Sequence, residues 1–216
     1  MSVAPIEDRP GDPLFGFDFE RVIRDARSNR LGIGLLIVGW FHLVIFGSCD
    51  LLYNRGDRSA LHFFALWVLD VLLTFMVFRQ RIPSIASLGS ARSFRVALRV
   101  WITFAILCLT SATLNTITGF QVDWFKISWA MLSTFGFATM AWIFHPAFLI
   151  PAVQMSITAL LIASHPGHAY AIFGVSWFVV FQGFGLLLER SRLNQRLAPW
   201  STRRINVVSK RNSQEV

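Results

Sequence analysis

Residues 60–78 read ALHFFALWVLDVLLTFMVF, nineteen positions with a single carboxylate, Asp70, and with Arg58 and Arg79 just outside. A run of about 20 apolar residues matches the thickness of a bilayer core. A soluble core helix would alternate this apolar face with a polar one. The stretch therefore reads as a transmembrane helix, and the rest of the chain repeats it.

Five more apolar segments can be drawn: Leu31–Cys49 before it, then Val100–Thr118, Ile127–Phe144, Ala147–Ser164 and Ala169–Leu188. Across 216 residues the chain is 54% hydrophobic and only 15% charged, against about 25% charged for a soluble domain. Barrel strands would be about half as long and would alternate in polarity, so the segments read as helices. The expected fold class is all-α: a polytopic integral membrane protein of six transmembrane helices. Its expected divisions are a cytoplasmic arm over 1–30, a six-helix bundle over 31–188 and a basic tail over 189–216. Between the fourth and fifth segments only His145-Pro146 intervenes, so residues 145–151 form either a simple turn or a re-entrant loop.

Orientation follows from the charges. Seventeen of the twenty basic residues fall in the N-terminal arm, the loop after the second segment and the C-terminal tail, leaving Arg55, Arg58 and Lys126 for the opposite side. The positive-inside rule then places both termini in the cytoplasm, as an even number of spans requires. The first 30 residues lack the apolar core of a signal peptide, so the first helix is expected to serve as the insertion signal. A bacterial-type inner membrane fits this pattern. The net charge of +8 is then a topology signal with attraction to anionic headgroups, and no nucleic-acid partner is expected.

Both ends read as membrane-surface segments. Phe19, Val22, Ile23 and Ala26 recur among Arg21, Arg24, Asp25 and Arg27 as on an interfacial amphipathic helix. Leu193, Leu197, Trp200 and Ile205 are spread more loosely through the basic tail. A plain basic topology signal explains these charges equally well.

Polar groups at membrane depth are the candidate functional residues. Asp70 lies ten residues into the second segment, and His42 eleven residues into the first, which enters from the opposite side. An antiparallel pair of helices would bring them to one depth, to share a proton, hold a cation or fix helix register. Thr103, Thr110, Ser111, Asn115 and Thr118 share a face of the third segment, suited to interhelical contact or to the wall of a hydrated path. Gln154 and Gln182 are single amides that read as interhelical hydrogen bonds. His62 and His168 fall at the same end of the bundle, where a pair of haem or metal ligands is conceivable; His145 has no obvious mate. Cys49 and Cys108 differ in depth by more than a disulfide spans and read as free. The many Phe and Trp residues, Trp67, Phe137 and Trp142 among them deep in spans, pack against lipid and each other or line a site for a pigment, quinone or lipid.

There is no nucleophile elbow, HExxH, phosphate-binding loop or cluster of carboxylates. Three functional classes remain. The first is a non-catalytic subunit that binds and positions partner membrane proteins or lipophilic cofactors, or self-associates. The second is a small transporter or channel built on Asp70 and the third-helix polar face. The third is a sensor signalling through its cytoplasmic arms. Cysteines placed at Ser59 and Lys126 are expected to react with an impermeant reagent from outside, and cysteines at Ser90 and Ser201 to be protected; outside labelling at Ser201 contradicts the orientation.

Overall fold

The computed structural model describes residues 30–80, 92–118 and 122–212, with side chains for most of those up to 190. The amphipathic N-terminal arm, the 81–91 part of the basic loop and the side chains of the C-terminal tail lie outside the described residues. Helix α1 spans Leu31–Asn54, α2 Ala60–Arg79, α3 Arg92–Ile117, α4 Val122–Ile143, α5 Leu149–Ser164 and α6 Ala169–Asn212. Short 3-10 turns, Pro146–Phe148 and Pro166–His168, precede α5 and α6. No strand occurs among the described residues.

Five of the helical segments are long and apolar enough to cross a membrane: Leu31–Asn54, Ala60–Arg79, Val96–Asn115, Pro146–Ser164 and Pro166–Arg190. The protein is therefore an integral membrane protein. Helix α4, with 22 residues, is long enough to be a sixth, but Lys126 and its small polar residues dilute its apolarity. It also begins at Val122 rather than Ile127, so Lys126 stands inside the helix and not in a loop.

Proline and histidine make the sharp turns. The His145 ring accepts a hydrogen bond from the Ala147 backbone N–H at 3.1 Å, and Pro146 opens the turn where no donor is needed. This reverses the chain, and α5 packs back against α4. At the opposite end, Asp50 of α1 reaches across to α6, where its carboxylate accepts from the Ala171 N–H at 3.2 Å. The N-terminal N–H groups of a helix have no partner within the helix, so a carboxylate from a neighbour anchors that end.

The seam between α1 and α6 is built on glycine. A Cβ added to Gly174 would lie 2.6 Å from the Phe46 Cβ, and one on Gly185 would lie 2.7 Å from Leu36 and 2.9 Å from the Gly32 carbonyl oxygen. Such close backbones give van der Waals contact, the main attraction between helices in lipid. The amides work the same seams: Gln182 donates to the Leu36 carbonyl at 3.0 Å and Gln154 to the Ser176 carbonyl at 2.9 Å. Thr158 and Ser176 pair their hydroxyls at 2.5 Å.

The polar face expected on α3 points inward only at its Ser111–Asn115 edge. Its buried residues include Cys108, Ala112 and Asn115, whereas Thr103, Thr110 and Thr118 are exposed and Ser111 half-buried. The hydroxyls of Thr110 and Thr118 bond back to the Ile106 and Leu114 carbonyls of their own helix. Packing against α4, through the Trp129 N–H on the Cys108 carbonyl at 3.2 Å, selects a different stripe. Trp142, placed inside a span by its sequence position, is 85% exposed.

Gly185→Val forces side chain against backbone and is expected to destabilise the bundle by about 1–3 kcal/mol. Gly183→Val, where an added Cβ meets nothing within 4 Å, should be silent. Detergent-melting curves of the two variants check the seam; equal midpoints contradict it.

Candidate functional site

The interior of the bundle, near one end, holds a residue that charge counting assigned to the outside. Lys126 is fully buried, with 0% exposure. Among the described residues, its Nζ finds no hydrogen-bond partner. Aromatic rings surround it instead: Trp129 at 4.0 Å from the ring centre, Tyr170 at 4.4, Phe46 at 4.7, Phe125 at 4.8, Trp67 at 4.9 and Phe173 at 5.3 Å. These six rings come from α1, α2, α4 and α6. Arg55 and Arg58, in the turn between α1 and α2, are exposed.

Local sequence builds the cage. Phe125 and Trp129 flank Lys126 at one and three residues on α4. Tyr170 and Phe173 are three apart near the start of α6, held there by the Asp50 cap on Ala171. Phe46 sits where Gly174 lets α1 approach α6. The rings also pack on each other: Phe125 with Trp129 at 4.7 Å, Trp67 with Phe125 at 5.0 and Phe46 with Phe173 at 5.2 Å.

Taking an ammonium out of water costs several kcal/mol. A desolvated cation over an aromatic face recovers about 2 kcal/mol, and six such faces together offset much of the penalty, although they do not add linearly. The cage is chemically able to hold a compact cation with no hydrogen-bond acceptor against it. Asp70, Cys49 and Cys108 lie within electrostatic reach of the amine. Both cysteines are buried and free, so they flank one centre despite their separation along the chain.

Asp70 and His42 form the second part. Asp70 is 6% exposed, and its Oδ1 lies 3.2 Å from His42 Nδ1. The same nitrogen is 3.2 Å from the Val38 carbonyl oxygen. One N–H cannot align with both, and Asp70 Oδ1 has no aligned hydrogen bond. The contact is thus an ion-pair distance without a full hydrogen bond. His42 packs its ring against Phe181 at 5.1 Å and Trp177 at 6.0 Å, both on α6.

The remaining sequence candidates are dispersed. His62 lies against Asp57 at 2.5 Å and His168 against Asp50 at 3.5 Å, both imidazoles largely exposed. Among the described residues no group of three or more His, Cys, Asp or Glu side chains could hold a metal ion. Asn115 is buried on α3; Gln154 and Gln182 serve the helix seams. Asp57 also accepts from the Ser59 N–H at 2.8 Å. That bond, with the His62 contact, holds its carboxyl below the usual range. Its contribution to the 55–59 turn is therefore present above the ordinary carboxylate pKa and is lost as pH falls through the lowered value.

One sequence signal could have exposed Lys126. The chain contains 18 arginines but only two lysines, Lys126 and Lys210. The former stands in Trp124-Phe125-Lys126-Ile127-Ser128-Trp129, an aromatic setting unlike the arginine-rich arms. The buried position also rules out a cysteine at 126 as an outside label.

Asp70→Leu is expected to lower stability by about 1–2 kcal/mol, since it removes the partner of His42 and a carboxylate within electrostatic reach of the cage. Asp70→Asn, which keeps shape and polarity, should be milder. A double-mutant cycle with His42→Ala should show a coupling of about 0.5–1.7 kcal/mol; additive effects contradict the pairing.

No family model matches the chain, and no curated protein or solved structure is detectably similar to it. The geometry of the cage and of the Asp70–His42 pair therefore carries the functional reading.

Proposed function

We propose that this chain is a non-catalytic membrane subunit that binds and positions a partner and passes the state of its core along its last helix. In this reading it has six spans, with both termini cytoplasmic, in a bacterial-type inner membrane. The observation that carries it is helix α6. It has 44 residues, and the part before Pro199 alone is about 45 Å long at 1.5 Å per residue, half as long again as the roughly 30 Å of a bilayer core. Its first turns supply Tyr170 and Phe173 to the cage and Trp177 and Phe181 to His42, and its far end continues as helix to Asn212. A helix rooted beside buried charges and continuing past the apolar span, with Pro199 as its bend point, is suited to holding or signalling to another protein. The cage interior is filled by Lys126, which leaves the outer faces of the bundle for lipid or a lipophilic cofactor.

A second reading, a small transporter or channel, draws support from Asp70 and Lys126 at membrane depth. The outward-facing threonines of α3 do not add to it.

The test is purification of the full chain in mild detergent beside a Leu197→Pro variant, which adds a second proline two residues before the native Pro199 and ends α6 there. A stoichiometric partner that accompanies the wild type and is lost from an inserted, folded Leu197→Pro supports the proposal. A partner retained equally by both removes the role of α6. Autonomous, Asp70-dependent ion flux in vesicles, with no partner, favours the second reading.

A further inference from the structure

Six aromatic rings around one ammonium form a receptor for organic cations, and here the occupant is part of the chain. Three observations bear on whether that occupant is permanent. Lys126 is the fifth residue of α4, which begins at Val122. Tyr170, another wall of the cage, is the second residue of α6. The cage therefore lies about one turn below the end of the bundle, within the reach over which a lysine stem snorkels to the surface. Second, the Nζ carries N–H donors that find no acceptor inside the cage, so its charge is well placed while its hydrogen-bonding capacity is unmet. A methylated ammonium has no such donors to leave unsatisfied. Third, a chain that otherwise uses arginine for nearly all its positive charge has a lysine here. A lysine head is a compact cation that the rings enclose, whereas a guanidinium is planar and wider.

We propose that the cage is a binding site for small quaternary ammonium ions, with the Lys126 side chain as its resident occupant. An entering ammonium takes the place of the Nζ among Trp129, Tyr170, Phe46 and their neighbours, and Lys126 turns out to the adjacent membrane surface. Asp70, within electrostatic reach of the cage, favours a cation over a neutral ligand of the same shape. Because Tyr170 and Phe173 belong to α6, exchange is felt at the root of that helix. Binding itself does not depend on any role of α6.

The experiment uses the full chain in detergent or proteoliposomes, an amine-acylating reagent and tetramethylammonium chloride as probe. Lys126 and Lys210 are the only lysines, so peptide mass spectrometry reads each separately, with Lys210 as internal reference. Without probe, Lys126 should resist acylation. With probe, its acylation should rise saturably, by roughly fivefold or more, as the enclosed fraction of Lys126 falls. Matched sodium chloride should have no such effect. Trp129→Leu, which removes the nearest ring, should shift the response to higher probe concentration. Lys126 acylation that is unchanged by the probe, or raised equally by sodium chloride, overturns the proposal and leaves Lys126 as a fixed structural cation.

Discussion

An ammonium enclosed by a membrane protein loses its hydration, and the Lys126 cage offsets much of that loss with ring faces; among the described residues no carboxylate bonds it. The solution constrains four helices at once. Phe46 fixes the rotation of α1, Trp67 that of α2, Phe125 and Trp129 that of α4, and Tyr170 and Phe173 that of α6. A register slip by one residue in any of them would turn a ring away and expose the charge to hydrocarbon. The lower apolarity of α4 has the same cause, because its charged side chain faces the protein interior and not lipid.

The glycine seam between α1 and α6 makes this geometry attainable. Gly174 admits Phe46, and Gly32 and Gly185 bring the backbones together further along. The Asp50 carboxylate anchors the first turn of α6, where Tyr170 and Phe173 begin. Further down the same seam, His42 packs edge-on among α6 aromatics while facing Asp70 on α2. The two buried polar centres thus share helices, and both lie in direct contact with α6.

Much of the helical fold was legible because hydrocarbon thickness leaves a strong trace in sequence. The apolar runs located the helices, and matching depth on antiparallel neighbours was enough to place Asp70 near His42. The direction of side chains was not legible. Charge counting took Lys126 as a loop residue because it stands near the end of an apolar run; that rule registers position along the chain and is blind to rotation about the helix. The polar stripe of α3 turned inward only at Asn115 and Ser111, for a related reason. Its residues do share spacing, but the packing of Trp129 and its neighbours against Cys108 and Ala112 decided which face turned inward. The extension of α6 past Leu188 carries basic residues that read as a tail, since a helix leaving the membrane no longer needs to be apolar.

The central claim is that the Lys126 charge and the surrounding ring faces stabilise one another. A double-mutant cycle between Lys126→Met and Trp129→Leu, followed by reversible unfolding in mixed micelles, measures it most directly. Methionine keeps the length of the side chain and its contact with the rings while removing the charge. The account predicts a favourable coupling of about 1–2 kcal/mol between the native pair. Additive effects of the two substitutions, with no coupling beyond error, would contradict it.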